Sequence, residues 1–439
     1  MKDLKAFTVT PESLEQMIAW RRDFHRYPEA GWTEFRTASI IASELEQLGF
    51  QVEVGKEVVS GERMGVPSSE RLEICFEQAK ENGGYIEYMK KMVGGFTGVV
   101  GTLRGNKPGP TIAFRFDMDA LDIVESNDSS HLPKLAGFRS HYSGVMHACG
   151  HDAHSAIGLG LAWNLARNLD QLAGTIKLIF QPAEEGVRGA KSMVDAGVVD
   201  DVDYFLGMHI GTGIPLGTVI GGTDGFLATT KINASFTGKA AHAGAEPEKG
   251  NNALLAAASA ILGLHSISNH SGGASRVNVG TCTAGDGRNI VPAHAFLELE
   301  TRGENSVVHS YMHDQALAVL DGAAAMYGTT VKCEIVGAAK NCSSSEKLSE
   351  LVAQAATTIE GVEEVMSHAN FSAGSEDATF MMERVQQRGG LATYAIFGTT
   401  LAAGHHHEKF DVDEAVFPIV LNTWLETINQ IYQKESRDC

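Results

Sequence analysis

Cysteine is scarce in this chain and shows no paired spacing. The six cysteines stand at positions 75, 149, 282, 333, 342 and 439 of a 439-residue sequence. A small secreted protein held together by disulfides would carry them more densely and at paired intervals. The pattern therefore excludes a disulfide scaffold and predicts reduced thiols in a cytoplasmic protein.

Basic clusters and long apolar runs are missing as well. The formal net charge is −19 and no block of lysines and arginines occurs, which argues against nucleic acid or an anionic membrane as a partner. No apolar run approaches the ~18 residues that a membrane-spanning helix needs. Residues 1–7 also lack the apolar region of a secretory signal peptide. We expect a soluble cytoplasmic protein that binds a small molecule and no membrane.

The most reactive side chains gather in residues 146–154. Five potential ligands stand there among alanines and a glycine, namely His147, Cys149, His151, Asp152 and His154. Thiol and imidazole groups on one short turn are the ligands that soft and borderline divalent metals favour. The cluster predicts a metal site, although one or two of its groups can instead cap the apolar helix predicted to follow.

Acidic and imidazole groups follow four predicted strands, at 111–116, 174–180, 203–208 and 392–397. In chain order they are Asp117 and Asp119, Glu184 and Glu185, His209, and the triplet His405, His406 and His407. Helices alternate with these strands, which predicts an α/β domain with a mostly parallel sheet. The carboxyl ends of parallel strands share one edge, where open α/β sheets place their ligand sites.

Residues 226–337 have a different pattern, in which strand, helix, two strands, helix and strand follow one another. This order predicts an inserted α+β domain with a four-stranded sheet. Because 439 residues exceed one ordinary core, we expect a discontinuous metal-binding domain at 1–225 and 338–439. Charged helical segments at about 60–93 predict a further insertion, suited to a lid or a partner surface.

The predicted sheet edge supplies enough ligands for two divalent ions. They are Cys149, His151, Glu185, His209 and one of the three histidines at 405–407. Two such ions can hold a water molecule between them, lower its pKa and polarise a carbonyl oxygen. Of the carboxylates Glu184 and Glu185, one would bind metal while the other acts as general base. Either Asp119 or Asp117 would orient a ligand histidine by a hydrogen bond, and the sequence does not separate them.

The middle segment carries a histidine and several cations whose role the residues alone leave open. They are His242 in a loop of small residues, and Lys231, Arg276, Arg288, Asn289 and Arg302 on or beside predicted strands. Each can be an ordinary surface group. A guanidinium fork is, however, a natural partner for a substrate carboxylate.

Several motifs together resemble the metal-dependent M20 peptidases, in their amidohydrolase subfamily. They are Trp-Arg-Arg-Asp-Phe-His-Arg-Tyr-Pro-Glu at 20–29, Asp-Met-Asp-Ala-Leu at 117–121, Met-His-Ala-Cys-Gly-His-Asp at 146–152, Gln-Pro-Ala-Glu-Glu-Gly at 181–186, Met-His at 208–209, Gly-Lys-Ala-Ala-His-Ala at 238–243, Arg-Asn-Ile-Val-Pro-Ala at 288–293 and Ser-Glu-Asp at 375–377. The resemblance covers nearly the whole chain. It implies a zinc-peptidase-like α/β domain, an inserted dimerisation domain and two Mn²⁺ or Zn²⁺ ions in each protomer.

The resemblance also implies roles for single residues. Cys149 would bridge the two metals, with His151, Glu185, His209 and a last histidine as further ligands. That histidine stands four positions before an aromatic residue in the family pattern, so Phe410 selects His406, with His405 and His407 as unusual neighbours. The remaining roles are a catalytic base at Glu184, an oxyanion-stabilising group in the partner's site at His242, and substrate contacts at Asn289 and Arg302.

The expected substrate is an N-aroyl or N-acyl amino acid with a second carboxylate. Lys231, Arg276 and Arg288 stand where the subfamily does not usually have basic residues, and a glutamate conjugate would explain the added charge. Residues 60–98, 194–205 and 402–411 resemble one branch of the family, which makes p-aminobenzoyl-glutamate the expected substrate. The partner would be an identical chain, giving a homodimer, or a related but different chain, giving a heteromer. The alternatives are an aminoacylase, a dipeptidase, or a non-catalytic member of a hetero-oligomeric hydrolase.

Overall fold

The computed structural model describes residues 9–370 and 374–438, so Cys439 lies outside it. The other five cysteines are free thiols. Within the described residues, the strands are β1 (Gln51–Val54), β2 (Val99–Arg104), β3 (Lys107–Asp117), β4 (Ala173–Gln181), β5 (Tyr204–Ile210), β6 (Thr218–Ile220), β7 (Thr223–Asp224), β8 (Ala228–Thr237), β9 (Ser275–Ala284), β10 (His294–Gly303), β11 (Thr330–Ala339), β12 (Glu364–Met366), β13 (Ala369–Asn370) and β14 (Leu391–Phe397). The α-helices are α1 (Pro11–Arg26), α2 (Phe35–Gln47), α3 (Ser69–Glu81), α4 (Ile86–Met89), α5 (Leu132–Leu135), α6 (His151–Ala166), α7 (Ala190–Asp195), α8 (Ala253–His265), α9 (Ser306–Met326), α10 (Glu346–Ala356), α11 (Thr379–Gln387) and α12 (Val416–Asp438).

The larger sheet has eight strands in the order β1-β2-β4-β3-β5-β14-β6-β12. Its four central strands, β4, β3, β5 and β14, run parallel, whereas β1, β2 and β6 pair antiparallel toward the edges. The four strands predicted from the sequence are these central ones. The mostly parallel α/β sheet is therefore confirmed, and its central strands bring four loops to one edge.

Both faces of this sheet are covered, because alternate residues of each strand pack into separate cores. On β3, Phe114 packs on the side of α1, α6, α10 and α12, and Ala113 packs on the side of α7 and α11. Helix α6 lies so close to the sheet that a Cβ on Gly158 would approach Phe116 and Phe180 to 2.7 Å. Glycine at this position lets α6 press against the strands and fixes the helix start, at which His151 stands.

A second, four-stranded antiparallel sheet has the order β11-β8-β10-β9 and packs against α8 and α9. Its strands run from 228 to 339, close to the 226–337 segment predicted as the inserted domain. The sheet joins the larger one near the candidate site, where Ala338 N–H donates to the Val187 carbonyl. The exact domain boundaries stay a prediction.

The insertion at 60–93 forms α3 and α4, which pack on α2. The segment before α3 is held by two hydrogen bonds, one from Trp32 Nε1 to the Met64 carbonyl and one from Arg188 Nη1 to the Gly65 carbonyl. It therefore lies against the loop that follows β4. Among the described helices, none combines the length and the apolar composition that crossing a bilayer requires.

Candidate metal centre and active-site cavity

A cavity of about 660 Å³ opens where the two sheets meet. Its walls include Cys149, Glu184, Glu185, His209, Lys231, Arg302, Glu376 and His406. Cys149 precedes α6, the two glutamates follow β4, His209 lies in β5 and His406 follows β14. The candidate ligands that are remote in sequence meet here because they end or follow neighbouring strands.

His151 presents a free ring nitrogen toward the other candidate ligands. Its Nδ1 bonds the Asp119 carbonyl at 2.8 Å, so the neutral ring carries its proton there and Nε2 keeps a lone pair. This Nε2 is buried without a hydrogen-bond partner and lies 3.8 Å from Glu184 Oε2. A buried lone pair that no protein group satisfies suits a metal ion.

Cys149 and His209 face each other across the same space. Cys149 Sγ lies 3.4 Å from His209 Nε2, while His209 Nδ1 bonds the Ile210 carbonyl at 2.7 Å. Gly150 has φ +94°, a left-handed conformation that glycine adopts without strain, and it turns the chain between Cys149 and His151. The turn lets consecutive ligands converge.

Asp119 holds the two glutamates together. Its Oδ1 accepts the Glu184 N–H and its Oδ2 accepts the Glu185 N–H, each at 2.9 Å. Ala183, just before them, has a left-handed φ of +52°, and its N–H donates to Glu34 Oε1 at 2.8 Å. These bonds over-determine a strained loop, as is common at functional sites. Asp119 Oδ1 also lies 3.4 Å from His151 Nδ1.

Asp117 has other partners than Asp119. It accepts hydrogen bonds from Arg115 Nη1 at 2.7 Å and from His154 Nδ1 at 2.5 Å. His154 Nε2 in turn accepts the Ile210 N–H, so both nitrogens of this ring are used. His154 is therefore directed away from the candidate ligands, and the structure separates the two aspartates that the sequence left equivalent.

The remaining polar residues of the 146–154 cluster lie behind the cavity. Asp152 bonds Arg21 Nε at 2.9 Å and His25 Nδ1 at 2.8 Å, so its side chain does not cap α6. Gly150 occupies the N-cap position instead. Arg21 also pairs with Asp411, which ties α6 to the loop that carries the histidine triplet. His147 is buried, and neither ring nitrogen has a partner among the described residues.

The charges of the centre are unfavourable without a cation. Burial raises the pKa of the Glu184 carboxyl well above its usual value, and the nearby carboxylates Glu376 and Glu185 raise it further. Burial likewise raises the pKa of the Cys149 thiol and lowers that of His209 well below its usual value. Divalent cations would reverse these effects, because they stabilise a thiolate, a carboxylate and a neutral imidazole together. The donor set therefore fits divalent metal ions.

Three residue groups could each hold one ion. They are Cys149, His151 and His209; Cys149, Glu185 and His406; and His151, Glu184 and Glu185. Cys149 belongs to the first two groups, as a bridging ligand would. Glu185 Oε1 is buried without a hydrogen-bond partner among the described residues and lies 3.5 Å from His406 Nε2.

The histidine triplet divides into three environments. His406 has a left-handed φ of +62°, which directs its ring into the cavity. The ring of His405 lies between Cys149 Sγ and the Thr212 N–H, and His407 is exposed. The sequence-based choice of His406 as a ligand remains a prediction, which the geometry favours.

The predicted substrate-binding residues fall into two groups. Lys231 and Arg302 line the cavity, and Arg302 also pairs with Glu300 at 2.9 Å. In contrast, His242, Arg276, Arg288 and Asn289 are exposed and are not part of the cavity wall. His242 and Asn289 lie together, because the Ala243 N–H donates to the Asn289 carbonyl. Within one chain, these four residues and the candidate ligands are not brought together.

Sequence reasoning missed the apolar wall of the cavity, which is formed by Val187, Phe226, Tyr394 and Ile396. The rings of Phe226 and Tyr394 meet edge to face, with centroids 5.3 Å apart. Buried strand aromatics look like ordinary core residues in a sequence, so no local signal marks them. Glu376 had a signal in the Ser-Glu-Asp motif, and its carboxylate is held by Arg115 and the Tyr394 hydroxyl.

Comparison with known proteins agrees with this geometry. Residues 113–430 match the model of Peptidase family M20/M25/M40. The chain belongs to this family. It is therefore a hydrolase that acts on amide bonds, as the resemblance in its motifs led us to expect.

Two curated members of the M20 family match nearly the full chain. One component of the p-aminobenzoyl-glutamate hydrolase of Escherichia coli K12, which is named as a subunit, is 56% identical over 425 residues, covering 95% of this chain and 98% of its own length. The indole-3-acetyl-aspartic acid hydrolase of Enterobacter agglomerans is 54% identical and covers 93% of this chain and 94% of its own length. Both are named for amides of acidic amino acids.

Solved structures of the M20 family share the fold. The aminobenzoyl-glutamate utilization protein of Klebsiella pneumoniae superposes with a TM-score of 0.83 at 47% identity, covering 95% of this chain and 97% of its own. A Bacillus subtilis protein described as a dinuclear metal-binding peptidase of family M20 has a TM-score of 0.65 at 25% identity, covering 95% and 98%. The two-sheet architecture is thus the family's own.

Proposed function

We propose that this chain hydrolyses the amide bond of N-aroyl or N-acyl derivatives of acidic amino acids, with p-aminobenzoyl-glutamate as the first candidate. The products would be p-aminobenzoate and glutamate. The observation that carries this proposal is the position of the Glu184 carboxylate, 3.8 Å from the free Nε2 of His151 in a cavity that also contains Lys231. A base, a metal-binding set and a cation for substrate thus share one space.

The proposed cofactor is a pair of divalent ions, either Mn²⁺ or Zn²⁺. Cys149 would bridge them, with His151, Glu185, His209 and His406 as the other ligands. Thiolate and imidazole favour zinc, whereas carboxylate also suits manganese. When bound, the ions would polarise the scissile carbonyl and lower the pKa of the attacking water. The Bacillus subtilis relative, described as dinuclear, supports the number of ions.

Glu184 is the proposed proton carrier. As a carboxylate it takes a proton from the attacking water, and as a carboxylic acid it gives that proton to the departing amino nitrogen. Its backbone N–H is fixed by Asp119, so the side chain is free to reach the substrate. The burial that raises its pKa also brings its basicity closer to what proton transfer at neutral pH requires.

The two halves of the proposed substrate match the two kinds of wall. The faces of Phe226 and Tyr394 offer an apolar surface for an aromatic acyl group. Lys231 offers a charge for a carboxylate and has no hydrogen-bond or salt-bridge partner among the described residues. Two relatives named for glutamate and aspartate amides support an acidic amino acid on the leaving side.

A second chain is proposed to complete the site. His242 Nδ1 accepts the N–H groups of Gly244 and Ala245, so the neutral ring carries its proton on Nε2 as an available donor. This exposed donor suits the oxyanion in a neighbouring protomer, and Arg288 and Asn289 lie on the adjoining loop. Helix α8 also exposes Leu254, Leu255 and Leu262, an apolar surface that suits an interface. The partner is an identical chain or a related but different one, since the Escherichia coli relative is named as one component of a larger hydrolase.

A hydrolysis panel tests the proposed function. The purified chain, loaded with Mn²⁺ or Zn²⁺, is expected to cleave p-aminobenzoyl-glutamate and indole-3-acetyl-aspartate at least about tenfold faster in kcat/KM than N-acetyl-leucine, because one charged contact is worth about 1.5–3 kcal/mol. Release of the amino acid is followed by chromatography. Equal rates for all amides would contradict the specificity, and turnover only after a second protein is added would assign the chain to a hetero-oligomer.

Replacing Lys231 by methionine is expected to raise KM for glutamate conjugates by about tenfold or more while leaving KM for the matching glutamine conjugates nearly unchanged. The reason is that methionine keeps the aliphatic length of the side chain and removes only the charge that meets the side-chain carboxylate. Lys332→Met, on the exposed side of β11 in the same sheet, is the matched control. A similar rise for both conjugates would show that Lys231 does not read this carboxylate.

A further inference from the structure

His405 lies directly behind the proposed bridging ligand. Its Nδ1 is 3.5 Å from Cys149 Sγ, and its Nε2 accepts the backbone N–H of Thr212 at 3.0 Å. The ring therefore spans from the sulfur to the turn that follows β5. The sequence pattern had left His405 as an alternative metal ligand next to His406.

The hydrogen bond from Thr212 fixes which nitrogen of His405 carries a proton. A nitrogen that accepts an N–H group has its lone pair in use, so a neutral ring must hold its proton on Nδ1. A metal ion on Nδ1 would move that proton to Nε2, where it would point at the Thr212 N–H. His405 is thus placed as a donor to sulfur and is poorly placed as a ligand.

The surroundings of His405 are built to hold this orientation. Gly211 and Thr212 have φ values of +84° and +54°, and a Cβ added to Gly211 would approach His405 Nε2 to 3.2 Å. The ring also packs against His209 and Phe410, with centroids 5.2 and 5.0 Å away. Since a left-handed threonine is strained, the turn accepts an unfavourable backbone to deliver its N–H to this ring.

We propose that His405 is a positioning residue of the metal centre, which donates an Nδ1–H···S hydrogen bond to the Cys149 thiolate. The bond orients the sulfur lone pairs toward both ion positions and draws electron density away from the sulfur. Hydrogen bonds to a ligating sulfur tune a metal centre in this way, and partners of ligands commonly change metal affinity by about 10–100-fold. The inference rests on the metal centre of the proposed function.

The test uses the full chain loaded with Co²⁺, whose thiolate-to-metal charge-transfer band reports the electron density on sulfur. His405→Leu is expected to move this band to lower energy and to weaken Co²⁺ binding by about tenfold, because the sulfur loses its donor. His405→Asn places an amide nitrogen near the position of Nδ1, so its band should stay close to that of the wild type. His407→Leu, an exposed member of the same triplet, is the matched control and should change neither quantity.

The possible results separate this inference from the centre on which it rests. An unshifted band in His405→Leu, or an equal shift in His405→Asn, would overturn the sulfur hydrogen bond. Loss of one ion in His405→Leu, while His406→Leu keeps both ions, would make His405 the ligand and also overturn the inference. A wild-type chain that binds no Co²⁺ would overturn the proposed metal centre itself.

Discussion

Replacing Glu184 by glutamine is expected to lower kcat for p-aminobenzoyl-glutamate by about 10³-fold while both metal ions stay bound. Glutamine has the shape of glutamate but neither accepts a proton from water nor returns one to the leaving nitrogen, and general acid–base catalysis contributes about 10²–10⁴-fold. The loop should survive the change, since Asp119 holds residue 184 through its backbone N–H. Steady-state kinetics together with metal analysis measure both quantities.

Glu185→Gln is the matched control for this prediction, because it alters the neighbouring carboxylate on the same loop. It is expected to reduce the metal content, since Glu185 is a proposed ligand, and its activity should recover in part when excess metal is added. A Glu184→Gln enzyme with more than about a tenth of the wild-type kcat would contradict the role of Glu184 as the base.

Replacing His242 by alanine is expected to lower kcat by about 10²–10³-fold, the usual effect of removing one oxyanion donor. Metal content should not change, because His242 lies outside the cavity that holds the candidate ligands. A mixture of His242→Ala and Glu184→Gln chains is then expected to regain activity. In a mixed dimer, one site combines an intact Glu184 with an intact His242 from the other chain.

Random pairing of the two variants in equal amounts should restore about a quarter of the wild-type activity, since half of the dimers are mixed and each has one intact site. The control mixture pairs Glu184→Gln with a chain that carries both substitutions and should stay inactive. If the first mixture also stays inactive although mixed dimers form, His242 does not act across the interface.

The sequence predicted the edge of the sheet at which the site lies, for a simple physical reason. Carboxyl ends of parallel strands must meet, so Glu184, Glu185 and His209 could be expected close to Cys149 before any coordinate was known. The difference between Asp117 and Asp119 could not be predicted. It depends on the turn after β3, which directs one carboxylate to His154 and the other to the loop of the two glutamates.

The cations of the smaller sheet show where sequence reasoning ends. Lys231, Arg276 and Arg288 were equivalent as basic residues, yet only Lys231 lines the cavity. Arg276 pairs in register with Arg302 across β9 and β10 and still lies outside it. Side-chain direction depends on how the two sheets face each other, which no local pattern encodes. The left-handed turn at His406, which separates it from His405, is equally invisible in the sequence.

Lys231 comes from β8 in the smaller sheet, whereas Cys149, Glu184 and His209 come from the larger one. The part of the chain that selects a substrate is thus separate from the part that breaks the bond. Gene variants with altered β8 or β10 could acquire new diets of amides while inheriting intact hydrolytic chemistry. Enzyme engineers could exploit the same division by randomising those two strands alone.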